Sequence, residues 1–443
     1  MPATEAVQTK AFAERDTPAH YVLECRTCGA RFDDDGLQIE CSAPHGPSLL
    51  TTNYVKTRLG VHPQEPGIFR YRSWLPARKR VLGSGRTVTY RSEPLSRLTG
   101  VAEVWVAFHG YWPDRGGNLE TGTFKDLEAS TTLARLPDDQ KIVLVVASAG
   151  NTAAAFARAC SLNAQPCVIV IPETALPVMR FAGPLSKEVR IIVLANPADY
   201  MDAIELSNRL EALPRFRREG GVFNVARRDG LGTLLLNAVE KIGRLPDYYF
   251  QAVGSGSGAI AVHETAQRLV ADGRYGQKLP RQFLSQNLPF VPMYSRWKAR
   301  ERDWFALDET EARHKISEIF ASVLSNRKPP YGLPGGVFDV LQDTNGDMLA
   351  IDNAEARAAA LLFEELEEVD IEPAGAVAVA SLLKAATKGR IDRSAVVLIN
   401  ITGGGRKKHE QRMPPKDIQP DLTIDPSDVR SKALLERVSR MFF

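Results

Sequence analysis

Tyr249-Phe250-Gln251-Ala252-Val253-Gly254-Ser255-Gly256-Ser257-Gly258 is a short apolar run that breaks into alternating glycine and serine, then resumes as the helix-period stretch Gly258–Ala271. The run predicts a buried strand, Tyr249–Val253, and the glycines predict a turn where backbone comes close to a ligand. Successive N–H groups in such a turn form a nest that cradles a phosphate. No Lys-Ser/Thr pair follows, so this is not a Walker loop. The G-x-G-x-G spacing, without an acidic residue about 20 positions on in the right context, is not the dinucleotide fingerprint either. Taken alone, the stretch also reads as an ordinary glycine turn.

The same unit recurs on both sides. Short runs rich in Val, Ile, Leu or Phe predict further strands at Glu103–Phe108, Ile142–Ala147, Val168–Ile171, Arg190–Leu194, Val222–Val225, Gln282–Gln286 and Val396–Asn400. Helical patterns follow most of them, at Asn151–Leu162, Ala198–Leu213 and Gly232–Ile242. Strands alternating with helices mean parallel sheets covered on both faces, and this many strands imply two doubly wound sheets, an α/β fold. Ligands in such sheets gather beyond the carboxyl ends of the strands.

Two more turns stand at those ends. Ser148-Ala149-Gly150-Asn151-Thr152 opens a helix, with N–H groups and hydroxyls suited to a carboxylate or phosphate, or simply to capping. Thr402-Gly403-Gly404-Gly405 follows the last strand; its hydroxyl can meet a ring nitrogen, or the segment is a flexible exit. Earlier, Thr121-Gly122-Thr123-Phe124-Lys125-Asp126 sets a lysine among small residues at a helix start. Most lysines are solvated surface charges, yet a lysine in a cleft is what Schiff-base chemistry requires.

Composition bounds the function. The 443 residues, at roughly 150 per domain, allow two to three units. A net charge of +3 speaks against a dedicated nucleic-acid or membrane-surface binder. The longest apolar runs, such as Ala374–Leu383, fall short of the ~20 residues of a membrane span. Met1–Arg15 carries both charges and no apolar core, so no signal peptide is read, and a soluble cytoplasmic α/β protein is expected. Five cysteines cannot scaffold a chain this long. Cys160 and Cys167 read as core. Cys25-x2-Cys28 and Cys41-x3-His45 have zinc-ribbon spacing and predict a structural zinc, the alternative being buried thiols.

In this order, the lysine segment, the S-x-G-N-T turn, the glycine loop and the final threonine resemble the fold-type II pyridoxal-phosphate enzymes, the tryptophan synthase β superfamily. Within it the chain resembles the threonine synthase branch, through its lysine segment and N-terminal cysteines. The likeness to the cysteate synthases is closer still. Pro66–Tyr71, Gly110–Pro113, Asn224–Gly230, Tyr249–Gly256, Gln286–Pro292, Pro329–Gly332 and Asn400–Gly405 carry it, within a span of about residues 20 to 405. Ala149 departs from the second serine usual in threonine synthases, which speaks against threonine synthesis.

The resemblance implies a role for each matching residue. Lys125 would hold pyridoxal 5'-phosphate and shuttle the Cα proton. Asn151 would bond the cofactor's phenolic oxygen, and Ser148, Ala149, Gly150 and Thr152 would hold the substrate carboxylate. Gly254, Ser255, Gly256, Ser257 and Gly258 would wrap the phosphate, and Thr402 would face the pyridine nitrogen. Anionic substrates need cations, for which Arg115, Arg227 and Arg228 are the candidates. Cys25, Cys28, Cys41 and His45 would hold zinc.

The implied layout is a zinc-ribbon-like segment at 1–50, a large cofactor-binding domain at 51–135 and 226–405, a smaller mobile domain at 136–225, and a tail and helix at 406–443. The implied reaction is β-replacement, O-phospho-L-serine and sulfite giving L-cysteate and phosphate through an aminoacrylate, in sulfonate and coenzyme M biosynthesis. The implied assembly is a homodimer acting on small anions, with no nucleic-acid or membrane partner. The alternatives are threonine synthase, acting on O-phosphohomoserine and water, a dehydratase-like eliminase, or a catalytically silent protein that binds the cofactor and zinc.

Overall fold

The computed structural model describes residues 20–138, 141–148, 150–179, 181, 183–412 and 418–443. Met1–Arg15, read for a leader, and Ala149, read at the substrate carboxylate, lie outside the described residues. Two open sheets organise the chain. The six-stranded one runs in the order Asp347–Ile351, Arg281–Asn287, Tyr248–Ala252, Val396–Ile401, Glu103–Phe108, Val88–Arg91, and only the last strand is antiparallel. The five-stranded one is all parallel, in the order Phe216–Arg218, Val143–Ala147, Cys167–Pro172, Val189–Leu194, Leu422–Ile424.

Period-2 alternation explains why helices cover both faces. Val397, Ile399 and Ile401 pack with Val377 and Leu382 of the helix Pro373–Thr387. Leu398 and Tyr249 point the other way, onto the helices Val225–Ile242 and Ser257–Asp272. In the smaller sheet Leu144, Val146, Ile169 and Ile171 meet the helix Asn151–Leu162, while Val143, Val145, Val168 and Val170 meet Tyr200–Glu211. An antiparallel ribbon of Arg31–Phe32, Tyr21–Cys25 and Leu50–Tyr54 precedes both sheets.

Two expectations are corrected. Val222–Val225 is not a strand: Gly221–Phe223 is a 3-10 turn, and Asn224 caps the helix Val225–Ile242, its Oδ1 accepting from the Ala226 N–H at 3.0 Å. Arg227 and Arg228 therefore lie in the first turns of a helix, not after a strand. The segment after residue 405 is more than a tail and one helix: Arg406–Arg412 is also helical, and Leu422–Ile424 pairs with Ile192–Leu194. The helix Lys432–Ser439 then lays Leu434 and Val438 on that sheet. Among the described residues, no helix is long and apolar enough to cross a membrane.

Candidate active site and metal centre

A cleft of about 420 Å³ opens where the strands of both sheets end. It gathers Lys125, Ser148, Gly150, Asn151, Thr152, Arg227, Gly254 to Gly258 and Thr402 from segments far apart in sequence. Lys125 begins the helix Lys125–Arg135. The residues before it are stitched to the end of the last strand: the Phe124 N–H donates to the Thr402 carbonyl at 3.0 Å, and Thr123 bridges Gly403. Burial pulls the Lys125 amine below its usual pKa, outweighing the opposite pull of Glu128.

The glycine loop admits no side chains at its key points. Gly256 has φ +80°, and a Cβ there would strike Val337. A Cβ on Gly254 would lie 2.9 Å from the Val323 carbonyl oxygen, and one on Gly258 2.6 Å from Gln251 Nε2. The loop leads into the helix Ser257–Asp272, whose N-terminal N–H groups suit an anion. Gly150, at φ 146°, turns the chain into the helix that starts at Asn151, and its N–H donates to Ser148 Oγ at 3.1 Å.

The three arginines expected to bind substrate part company. Arg227 lines the cleft, but its guanidinium is already engaged, Nη1 by both Glu219 oxygens at 2.7 and 2.8 Å and Nη2 by Glu128 at 2.5 Å. Burial opposes its charge, yet the two carboxylates more than compensate and raise its pKa. Arg228 is outside the cleft, fully buried, donating to Glu264 at 3.0 Å and to the Val222 and Leu50 carbonyls. Arg115 lies over the rings of Tyr90 and Trp112, at 4.5 and 4.6 Å, beside a separate cavity at the edge strand Val88–Arg91.

Residues not anticipated also line the cleft: Glu219, Tyr200, Arg218, Lys328 and Glu372. Burial and the Glu219 charge push the Tyr200 phenol up to about 12. Glu128, behind Lys125, had a local signal, because i and i+3 share a helix face. The others had none, since they arrive from segments remote in sequence from Lys125.

In the ribbon, the ligand atoms of Cys25, Cys28, Cys41 and His45 all lie within 4.8 Å of one another. Cys25 Sγ is 3.4 Å from His45 Nε2, and the Cys28 and Cys41 sulfurs are 3.7 Å apart. A tetrahedron with Zn–S bonds of about 2.3 Å has an edge of about 3.8 Å, so the set fits a structural zinc.

The family model described as "Pyridoxal-phosphate dependent enzyme" matches residues 82–403. A cysteate synthase of Methanosphaerula palustris is 48% identical over 387 residues, 87% of this chain and 90% of its own length. One of Methanosarcina barkeri is 42% identical over 93% of this chain and 98% of its own length. The chain belongs to the cysteate synthase family. Solved structures with the same fold include maize serine racemase (TM-score 0.54, 19% identity, 74% of this chain and 93% of that one). Another is Escherichia coli diaminopropionate ammonia lyase (0.56, 17%, 75% and 88%).

As a cysteate synthase family member the protein is a pyridoxal-phosphate-dependent enzyme. The cleft fits that group: a loop whose three glycines leave no room for a Cβ suits a phosphate, and a lysine amine with its pKa lowered by burial lines the same cavity.

Proposed function

We propose that this enzyme replaces the phosphate of O-phospho-L-serine with sulfite, yielding L-cysteate and phosphate, in sulfonate and coenzyme M biosynthesis. The observation that carries this is the convergence of Lys125, the Ser148–Thr152 turn, the Gly254–Gly258 loop and Thr402 on one cleft, in a chain 48% identical to a cysteate synthase.

Pyridoxal phosphate, when bound, supplies a sink for the electron pair left at Cα. Gly254 to Gly258 would hold its phosphate through backbone N–H groups, and Asn151 and Thr402 would hold its ring. Because Thr402 carries a hydroxyl and not a carboxylate, it does not enforce a protonated ring nitrogen. Ser148, through its hydroxyl, and Thr152, through its backbone N–H at a helix N-terminus, hold the substrate carboxylate. The Lys125 amine takes the Cα proton, phosphate leaves Cβ, sulfite bonds to Cβ, and Lys125 returns the proton to Cα.

With Arg227 engaged by two carboxylates, the leaving phosphate and incoming sulfite fall to Arg218 and Lys328 at the cleft wall. Arg218 gives Nε to Glu211 and Nη1 to Asn208 (2.9 Å), and Lys328 is exposed with no side-chain partner among the described residues. Cys25, Cys28, Cys41 and His45 hold a structural zinc away from the chemistry.

Purified protein incubated with O-phosphoserine, with and without sulfite, tests this reading. Cysteate formed only with sulfite is the expected result. Pyruvate and phosphate regardless of sulfite would remove sulfite as the nucleophile. Phosphate released from O-phosphohomoserine instead would make the enzyme a threonine synthase. Lys125→Ala is expected to abolish turnover; turnover at the normal rate would end the proposal.

A further inference from the structure

Glu128 stands one turn beyond Lys125 and is completely buried. A carboxylate withdrawn from water is costly unless both oxygens are paired. Here Oε2 accepts from Lys125 Nζ at 3.1 Å, and Oε1 accepts from Thr152 Oγ1 at 3.1 Å and from Arg227 Nη2 at 2.5 Å. Arg227 is held from its far side by Glu219. Two cations and two carboxylates thus balance while Lys125 is an ammonium. Whenever the lysine nitrogen is a neutral amine or has swung away, one buried negative charge is left over, so the cluster favours the ammonium.

We infer that Glu128 is the station to which the Lys125 side chain returns each time substrate frees it. This rests on the reading of Lys125 as the residue that moves the Cα proton. In that step the Cα–H bond breaks, an N–H bond forms on Nζ, and the electron pair stays with the carbon. The new ammonium then stands beside a carboxylate that stabilises it, and the reverse transfer restores the neutral amine. Glu128 touches neither substrate nor cofactor; it is a positioning residue that also sets the basicity of Lys125. The other groups facing the pair are Arg227 and Glu219 behind it and Tyr200 on the helix Tyr200–Glu211, all lining the same cleft.

Two readouts test the inference. In cofactor-free protein, the pH profile for loading pyridoxal phosphate reports when the Lys125 amine becomes neutral. A carboxylate beside an ammonium raises its pKa, so Glu128→Gln should move the midpoint to lower pH by about one unit or more. In loaded protein without sulfite, exchange of the Cα proton of O-phosphoserine into D2O, followed by NMR, should slow about 100-fold, with KM little changed.

Glu128→Asp keeps the charge and should keep the loading midpoint while slowing exchange. Glu219→Gln, which removes a carboxylate from the far side of Arg227, should move the midpoint much less than Glu128→Gln. Equal shifts in the two Gln variants, or an unshifted profile in Glu128→Gln, would overturn the inference. Should Glu128→Gln not fold, exchange at the wild-type rate in Glu128→Asp would overturn it instead. If wild-type protein exchanges no O-phosphoserine proton, the substrate reading fails, and the loading profile still decides Glu128.

Discussion

At the scale of single residues, the guanidinium of Arg135 joins three parts of the chain. It ends the helix that begins at Lys125, and it donates to Asp34 through Nε at 2.8 Å and Nη2 at 2.6 Å. Its Nη1 reaches Asn224 Oδ1 at 2.9 Å, the same oxygen that caps the helix carrying Arg227. The Tyr21 hydroxyl adds a 2.5 Å hydrogen bond to Asp34. Arg135 and Asp34 are each 1% exposed, so the pair is beyond solvent screening. Burial would raise the Asp34 pKa, but the Arg135 bonds and charge outweigh it and hold the carboxyl below its usual value. The folded pKa being lower than the unfolded one, the pair contributes stability above about pH 3.9 and loses it as pH falls through the folded value. Asp34→Asn should therefore cost about 3 kcal/mol at pH 7 by leaving a buried guanidinium unpaired. Denaturant melts repeated toward acid should show that deficit shrinking below pH ~4; a deficit constant with pH would remove the carboxylate from the account.

At the scale of elements, the glycine loop offers a prediction with a built-in control. Gly256→Ala should weaken pyridoxal phosphate binding about 10-fold or more, near 1.4 kcal/mol, because the added Cβ meets Val337 and the +80° φ is strained. Gly243→Ala also sits at positive φ, +83°, but its Cβ meets nothing within 4 Å and it closes a helix away from the cleft. That variant should lose about 1 kcal/mol of stability and leave affinity unchanged. Titration of cofactor-free protein, alongside thermal melts, separates the two, and equal affinities would sink the loop assignment. This loop was legible in the sequence because its signal is local, three glycines directly after an apolar run. The central strands were legible for a related reason: buried on both faces, Cys167–Pro172 and the Val396–Ile399 part of Val396–Ile401 are continuous apolar runs. The four strands in the two sheets that were not anticipated, Val88–Arg91, Asp347–Ile351, Phe216–Arg218 and Leu422–Ile424, are the four sheet edges. Edge strands are short and carry polar or charged residues against solvent, as in Phe216-Arg217-Arg218, so periodicity does not distinguish them from loops. Val222–Val225 misled in the opposite sense, since its apolar residues outweighed the Asn224 cap. The pairing of Arg227 with Glu128 and Glu219 is set by three segments meeting in space, which no local pattern encodes.

At the scale of the whole molecule, the ribbon, the lysine helix and the helix Val225–Ile242 are coupled through buried polar contacts. Tyr21, Leu23, Cys25 and Leu50 pack on Val225, and Thr52 and Tyr54 donate to Asp229 Oδ2 at 2.6 and 2.7 Å. Asp34 lies between the two halves of the metal-ligand set, after Cys28 and before Cys41, so zinc would fix both ends of the segment that carries it. Removing the metal should then release Asp34 from Arg135 as well, although the ligands touch nothing in the cleft. Cys28→Ser is the cleaner probe, because Cys28 is exposed whereas Cys25 is core. Elemental analysis should find one zinc per wild-type chain and none in Cys28→Ser, with a lower melting temperature and an unaltered cofactor absorption spectrum. The coupling appears in a double-mutant cycle: the Asp34→Asn penalty should fall from about 3 to about 1 kcal/mol or less in the Cys28→Ser background. Additive penalties would mean that the ribbon holds Asp34 without help from a metal, and wild-type protein free of zinc would remove the metal altogether.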